Sequence, residues 1–146
     1  MKKILRGLGI GSVALACVFV SSGGAQAATT GHGKSYHACK NYVKIWRSHG
    51  KVYAYGTQVC SKKRSIQRPE AAISAYKNGE FKDISKGQLG SCHNKKTCKS
   101  PKASLKVHKG YTYRALNAGT ASIGIPDEGD YLWPKKTQAQ AYYKAR

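Results

Sequence analysis

The chain has 146 residues, with 26 Lys or Arg against six Asp or Glu and a formal net charge of +20 at pH 7. That imbalance excludes a near-neutral surface and draws the chain toward polyanions. The length suits one domain with a modest core. Three of the six acids sit together in Asp127-Glu128-Gly129-Asp130, which argues against a hydrolase built on paired carboxylates.

Residues 1–27 read as a cleaved secretory signal. Lys2, Lys3 and Arg6 give a charged start, an apolar run extends from Leu8 to Val20, and Ala25-Gln26-Ala27 offers a small-residue cleavage site. The run is shorter than the roughly 20 residues a membrane-spanning helix needs. An uncleaved anchor and acylation on Cys17 are the alternatives. Ala14 stands where a lipid-attachment site wants a large aliphatic residue, so a soluble, extracellular product is expected. Its formal charge would be +17, carried by 18 Lys and five Arg. Lysine is a hydrated point charge without the planar fork of arginine, so the charge suits loose attraction rather than sequence reading.

Residues 28–35 carry no apolar periodicity and are expected as a flexible arm. A β-sandwich domain is expected over 36–126. From Tyr42 to Arg47 and from Lys51 to Val59 the composition and period are those of strands. If His49-Gly50 forms a two-residue turn, the numbers of opposed residues sum to 99, and Cys39 falls across from Cys60, close enough to bridge if the two form a non-hydrogen-bonded pair. The remaining pair, Cys92 and Cys98, would close the cationic loop that holds His93, Lys95 and Lys96. Four cysteines in an exported chain are an even set, so two disulfides are expected, and of the three connectivities open to them the register favours Cys39 with Cys60. No Cys-x-x-Cys pair occurs, so zinc is disfavoured, and no metal or cofactor is expected.

The stretch from Pro69 to Gly79 has helix punctuation but also reads as a hairpin. An Asn78-Gly79 turn would set Lys77 against Glu80, Tyr76 against Phe81 and Ile73 against Ile84, and these three pairs favour strands. Ala103–His108 and Tyr111–Leu116 read as a third hairpin turning at Lys109-Gly110, and Ala121–Ile125 as a short strand ended by Pro126. Residues 127–146 form an acidic turn and a tail, the latter expected as a short helix or unstructured. Together these elements predict an all-β, disulfide-stapled antiparallel β-sandwich.

Tyr36-His37-Ala38-Cys39, the segment Lys51 to Cys60 and Tyr111-Thr112-Tyr113-Arg114 occur in an order that resembles small exported actinobacterial proteins of immunoglobulin-like fold. The resemblance covers about residues 36–120. It favours two packed sheets without implying a catalytic residue, and this chain departs from the pattern in its wealth of lysine.

For chemistry, the five histidines are candidate acids or bases. A small ribonuclease-like hydrolase would use His37 or His108 with nearby lysines, although no motif places a pair. Calcium at Asp127–Asp130 matches no twelve-residue loop. Aromatic and cationic residues interleave more informatively. Tyr42, Lys44 and Trp46 share one strand face, as do Tyr53 and Tyr55, so rings could stack on sugars or bases while ammonium groups follow a phosphate chain. With Lys95 and Lys96 these are the candidate binding residues. The expected function is non-enzymatic attachment to anionic polymers or envelopes, such as teichoic acid, acidic lipid or extracellular nucleic acid, with antimicrobial action as an extension. An inhibitor or other interaction partner of an acidic protein is the second reading, and the hydrolase the third.

Overall fold

A computed structural model describes residues 28–123 and 133–146. The expected leader, Pro126 and the acidic turn lie outside the described residues. The chain forms two antiparallel sheets packed as a disulfide-stapled sandwich. The first contains β1 (Thr29–His32), β2 (Cys39–Ser48), β3 (Lys51–Arg68), β7 (Cys92–Lys99), β8 (Ala103–Lys106) and β10 (Thr120–Ala121). The second contains β4 (Glu70–Lys77), β5 (Glu80–Ile84), β6 (Gln88–Leu89), β9 (Thr112–Asn117) and β11 (Ala139–Lys144).

Alternation explains the layering. Val43 and Ile45 of β2, Val52 and Ala54 of β3, Ala71 and Ile73 of β4, Tyr113 and Ala115 of β9, and Ala139 and Ala141 of β11 all point into one core. Every second residue therefore faces solvent. So many inward alanines bring the sheets close. A Cβ added at Gly56 would lie 2.2 Å from the Glu70 carbonyl oxygen, so only glycine fits there.

The β2–β3 hairpin has the expected register, from Ser48 opposite Lys51 to Cys39 opposite Cys60. His49 and Gly50 both take positive φ, as the two-residue turn requires. The Ser61 amide donates to the Ala38 carbonyl at 2.9 Å, which makes Cys39 and Cys60 the next, non-hydrogen-bonded pair. They are disulfide-bonded with Cα atoms 3.9 Å apart, and Cys92 is bonded to Cys98. Both bridges lie within the first sheet, whereas the antibody-type disulfide joins the two sheets.

The hairpin over 70–84 is present, with Lys77 opposite Glu80 and Tyr76 opposite Phe81. A bulge between Ala75 and Tyr76 shifts the remainder, so Ile84 faces Ser74 rather than Ile73. Three expectations are corrected. Residues 29–32, expected within a flexible arm, form β1 on β2. Its glycines let the backbone press against the C-terminal segment: a Cβ on Gly31 would collide with the Gln140 carbonyl, and the Lys34 amide donates to Lys136 at 2.8 Å. Backbone proximity, invisible to apolar periodicity, orders it.

The tail is likewise no helix beyond one 3-10 turn at Lys135–Thr137. It ends in β11, paired along its length with β9. Burial of Ala139, Ala141, Tyr143 and Ala145 shows a period of two that helix-forming composition had masked. The sandwich thus extends beyond 36–126 at both ends. Finally, Ala103–His108 and Tyr111–Leu116 do not pair. β8 joins β3, while β9 crosses to the second sheet between β4 and β11. The Tyr113 hydroxyl fastens this corner, donating to the Lys106 carbonyl at 3.0 Å and accepting from the His108 amide at 2.7 Å, in the manner of a tyrosine corner.

Candidate cationic binding face

Charge divides sharply between the sheets. Strands of the first carry Lys40, Lys44, Arg47, Lys51, Lys62, Lys63, Arg64, Arg68, Lys95, Lys96, Lys99 and Lys106, and no acid. Strands of the second carry Lys77, Lys82, Arg114 and Lys144 together with Glu70, Glu80 and Asp83. The first sheet is therefore +12 and the second +1. Within the second sheet, Lys82 and Glu80 pair at 2.6 Å. Like charges even oppose one another directly in the first, Lys51 across from Lys106 and Arg64 across from Lys95. Such pairs are destabilising by a few tenths of a kcal/mol to about 1 kcal/mol unless an anion intervenes.

The outer surface of this sheet gathers five of the expected residues. Tyr42, Lys44 and Trp46 alternate with buried Val43 and Ile45, and Tyr53 and Tyr55 alternate with buried Val52 and Ala54. The ladder then sets Trp46 across from Tyr53, Lys44 across from Tyr55 and Tyr42 across from Thr57. Trp46 stacks on Tyr53, with ring centroids 5.7 Å apart, and meets Tyr55 edge-on at 5.6 Å.

Three ammonium groups lie over rings of this same face. Lys99 Nζ sits 3.6 Å from the Tyr55 centroid, Lys40 Nζ 5.6 Å from Tyr42 and Lys102 Nζ 5.8 Å from Tyr53. These contacts hold the charges beside flat surfaces. Between them runs an open groove of about 390 Å³, lined by Thr30, Tyr42, Lys44, Tyr55, Thr57 and Val59. Its lining is mostly apolar, with Lys44 in it and Lys40 and Lys99 over two of its rings. That arrangement can accept a ring-bearing repeat while salt-bridging the flanking anions.

Lys40 follows from the alternation that placed Tyr42, so the sequence carried that signal. Lys99 and Lys102 did not follow, because their place depends on which edge of β3 receives β7 and β8. Lys95 and Lys96 do not join the aromatic face. They lie farther along β7, opposite the distal half of β3, where Lys62, Lys63 and Arg64 meet them.

His37 and His108, the two histidines a hydrolase would use, do not converge. His37 precedes β2 at its Cys39 end, whereas Val107, beside His108, bonds the Gly50 carbonyl at the opposite end of the hairpin. A ten-residue strand separates these ends, roughly 30 Å. His37 packs edge-on to Tyr36 and His108 against Tyr111. Among the described residues no three His, Cys, Asp or Glu side chains gather as a metal site would require. Compared with protein-family models, characterised proteins and solved structures, the chain matches none.

Proposed function

We propose that the protein is an exported, cationic binding module that attaches to anionic polymers or envelopes through the outer face of its first sheet. The observation that carries this reading is the segregation of charge: twelve cations and no acid on the strands of one sheet, beside a +1 partner sheet. A cationic surface meant only for solubility has no reason to be one-sided. The interleaved rings add contact area for sugars, bases or glycerol units between phosphates. Two disulfides fit an oxidising exterior, and the N-terminal sequence supports export to it. Attachment to a bacterial surface would extend this role to antimicrobial action by coating rather than by insertion.

Retention on immobilised polyanion, measured as a function of salt, tests the reading. Binding should weaken steeply between low and molar salt through counterion release. Retention indifferent to salt would refute it.

A further inference from the structure

Beyond the aromatic face, the distal ribbon of β3 and β7 is a second cationic structure. Cys92 lies opposite Gln67 and Cys98 opposite Gln58, so the two ends of β7 meet the two ends of one β3 segment. Six extended residues would span about 20 Å, yet the Cys92 and Cys98 Cα atoms are 5.7 Å apart. The ribbon therefore curls back on itself. Lys95, midway between the bridged cysteines, and Lys96 are thrown to the apex. On the facing strand the ladder is interrupted between Val59 and Arg64, which places Lys62 and Lys63 in the bulge beside them.

The base of this curl is fixed internally. Buried Gln67 donates from Nε2 to Cys60 Sγ at 3.0 Å and to the Lys96 carbonyl at 3.3 Å. The Arg64 guanidinium is anchored at Nη2 on the His37 carbonyl. Lys62, Lys63, Lys95 and Lys96 are exposed. Five basic side chains thus share one turn of ribbon, with Arg64 directly opposite Lys95 and no acid in the strands of the sheet. Left alone they repel one another, and the covalent bridge resists their spreading. From Ser61 to Ile66 and from His93 to Thr97 the apex contains no Tyr, Trp or Phe, and His93 is the one ring it carries, so ammonium groups outnumber stacking surfaces there.

Building on the polyanion-binding reading, we infer that this apex is a phosphate-binding site, contacting the charged backbone of a phosphate polymer and not its rings, with its cation density set by the Cys92–Cys98 bridge. Closely spaced phosphates match closely spaced ammonium groups, and Arg64, anchored on the His37 carbonyl, adds a fixed positive charge opposite Lys95. Sparse carboxylates would leave part of the repulsion unrelieved.

The test uses the full secreted chain with long-chain inorganic polyphosphate, a single-stranded oligonucleotide and polyglutamate, all of equal charge. Wild type should bind polyphosphate more tightly than polyglutamate. The variant K62Q/K63Q/R64Q/K95Q/K96Q should lose affinity for polyphosphate and oligonucleotide alike, with its slope of log K against log salt shallower by about 3 to 4. C92S/C98S, with the Cys39–Cys60 bridge intact and the strand signal in circular dichroism confirming the fold, should bind polyphosphate at least several-fold more weakly. Polyphosphate binding unchanged in the five-fold variant, loss confined to the oligonucleotide, or equal wild-type affinity for polyglutamate would each overturn the inference while leaving the polyanion reading intact. Wild type that binds none of the three polymers would overturn both.

Discussion

Asn117 occupies the space that Gly56 leaves vacant between the two sheets. Its Cγ would lie 2.6 Å from a Cβ at residue 56. From there its Nδ2 donates to the carbonyls of Tyr42 and Thr57, at 2.8 and 3.2 Å, and its Oδ1 accepts the amides of Glu70 and Gly119, both at 2.9 Å. One side chain of the second sheet thus satisfies backbone groups on β2, β3 and β4 at once. Nearby, Asn41 and Gln58 are bonded to each other at 3.0 Å, and Asn41 also reaches the Gly119 carbonyl at 2.7 Å. The binding face is the reverse side of this polar seam, so the seam fixes the strands that carry it.

Asn117→Ala is expected to destabilise the fold by about 3 kcal/mol or more, because several buried backbone groups lose their partner together. Urea denaturation followed by circular dichroism measures this. A loss below about 1 kcal/mol would show that water replaces the amide.

Tyr113→Phe removes the two corner bonds and should cost about 1–2 kcal/mol at neutral pH. Burial raises the Tyr113 phenol above its ordinary value, partly offset by the His108 backbone bond and reinforced by Tyr111, Tyr143 and Asp83. A folded-state pKa above the unfolded one means that the unfolded chain releases its proton first. The neutral phenol's contribution is therefore complete below about pH 10 and declines as pH rises through the folded-state pKa. Melting temperature should fall between pH 9 and 11 in wild type by more than in Tyr113→Phe. Parallel curves would contradict the assignment.

Replacing Cys39 and Cys60 together by alanine removes a crosslink between residues 21 apart, which chain entropy values at about 3 kcal/mol. A melting temperature unchanged in the double variant would refute that contribution. Anionic polymer should partly restore stability in this variant, since a ligand of the folded state adds to it by mass action.

Local information made much of this legible. The His49-Gly50 turn and strict alternation fixed the β2–β3 register, and with it the Cys39–Cys60 bridge and the shared face of Tyr42, Lys44, Trp46, Tyr53 and Tyr55. Where the sequence failed, non-local geometry decided. Gly31 orders the N-terminal strand by allowing contact with Gln140, which has no local signature. Ala103–Lys106 and Thr112–Asn117 carry hairpin-like signals, but β3 and β4 offered better edges in different sheets. Lys99 and Lys102 reached the aromatic face, and Lys62 to Arg64 reached Lys95, only because β3 is long enough to take partners on both sides.

The one-sided placement of charge is tested most directly by neutralising equal numbers of lysines on the two sheets and measuring polyanion affinity against salt. K40Q/K44Q/K99Q on the first sheet should make the slope of log K against log salt shallower by about 2 to 3, whereas K77Q/K82Q/K144Q on the second should leave it nearly unchanged. Equal losses from the two sets would contradict the account, because attraction would then depend on net charge alone and not on the face that displays it.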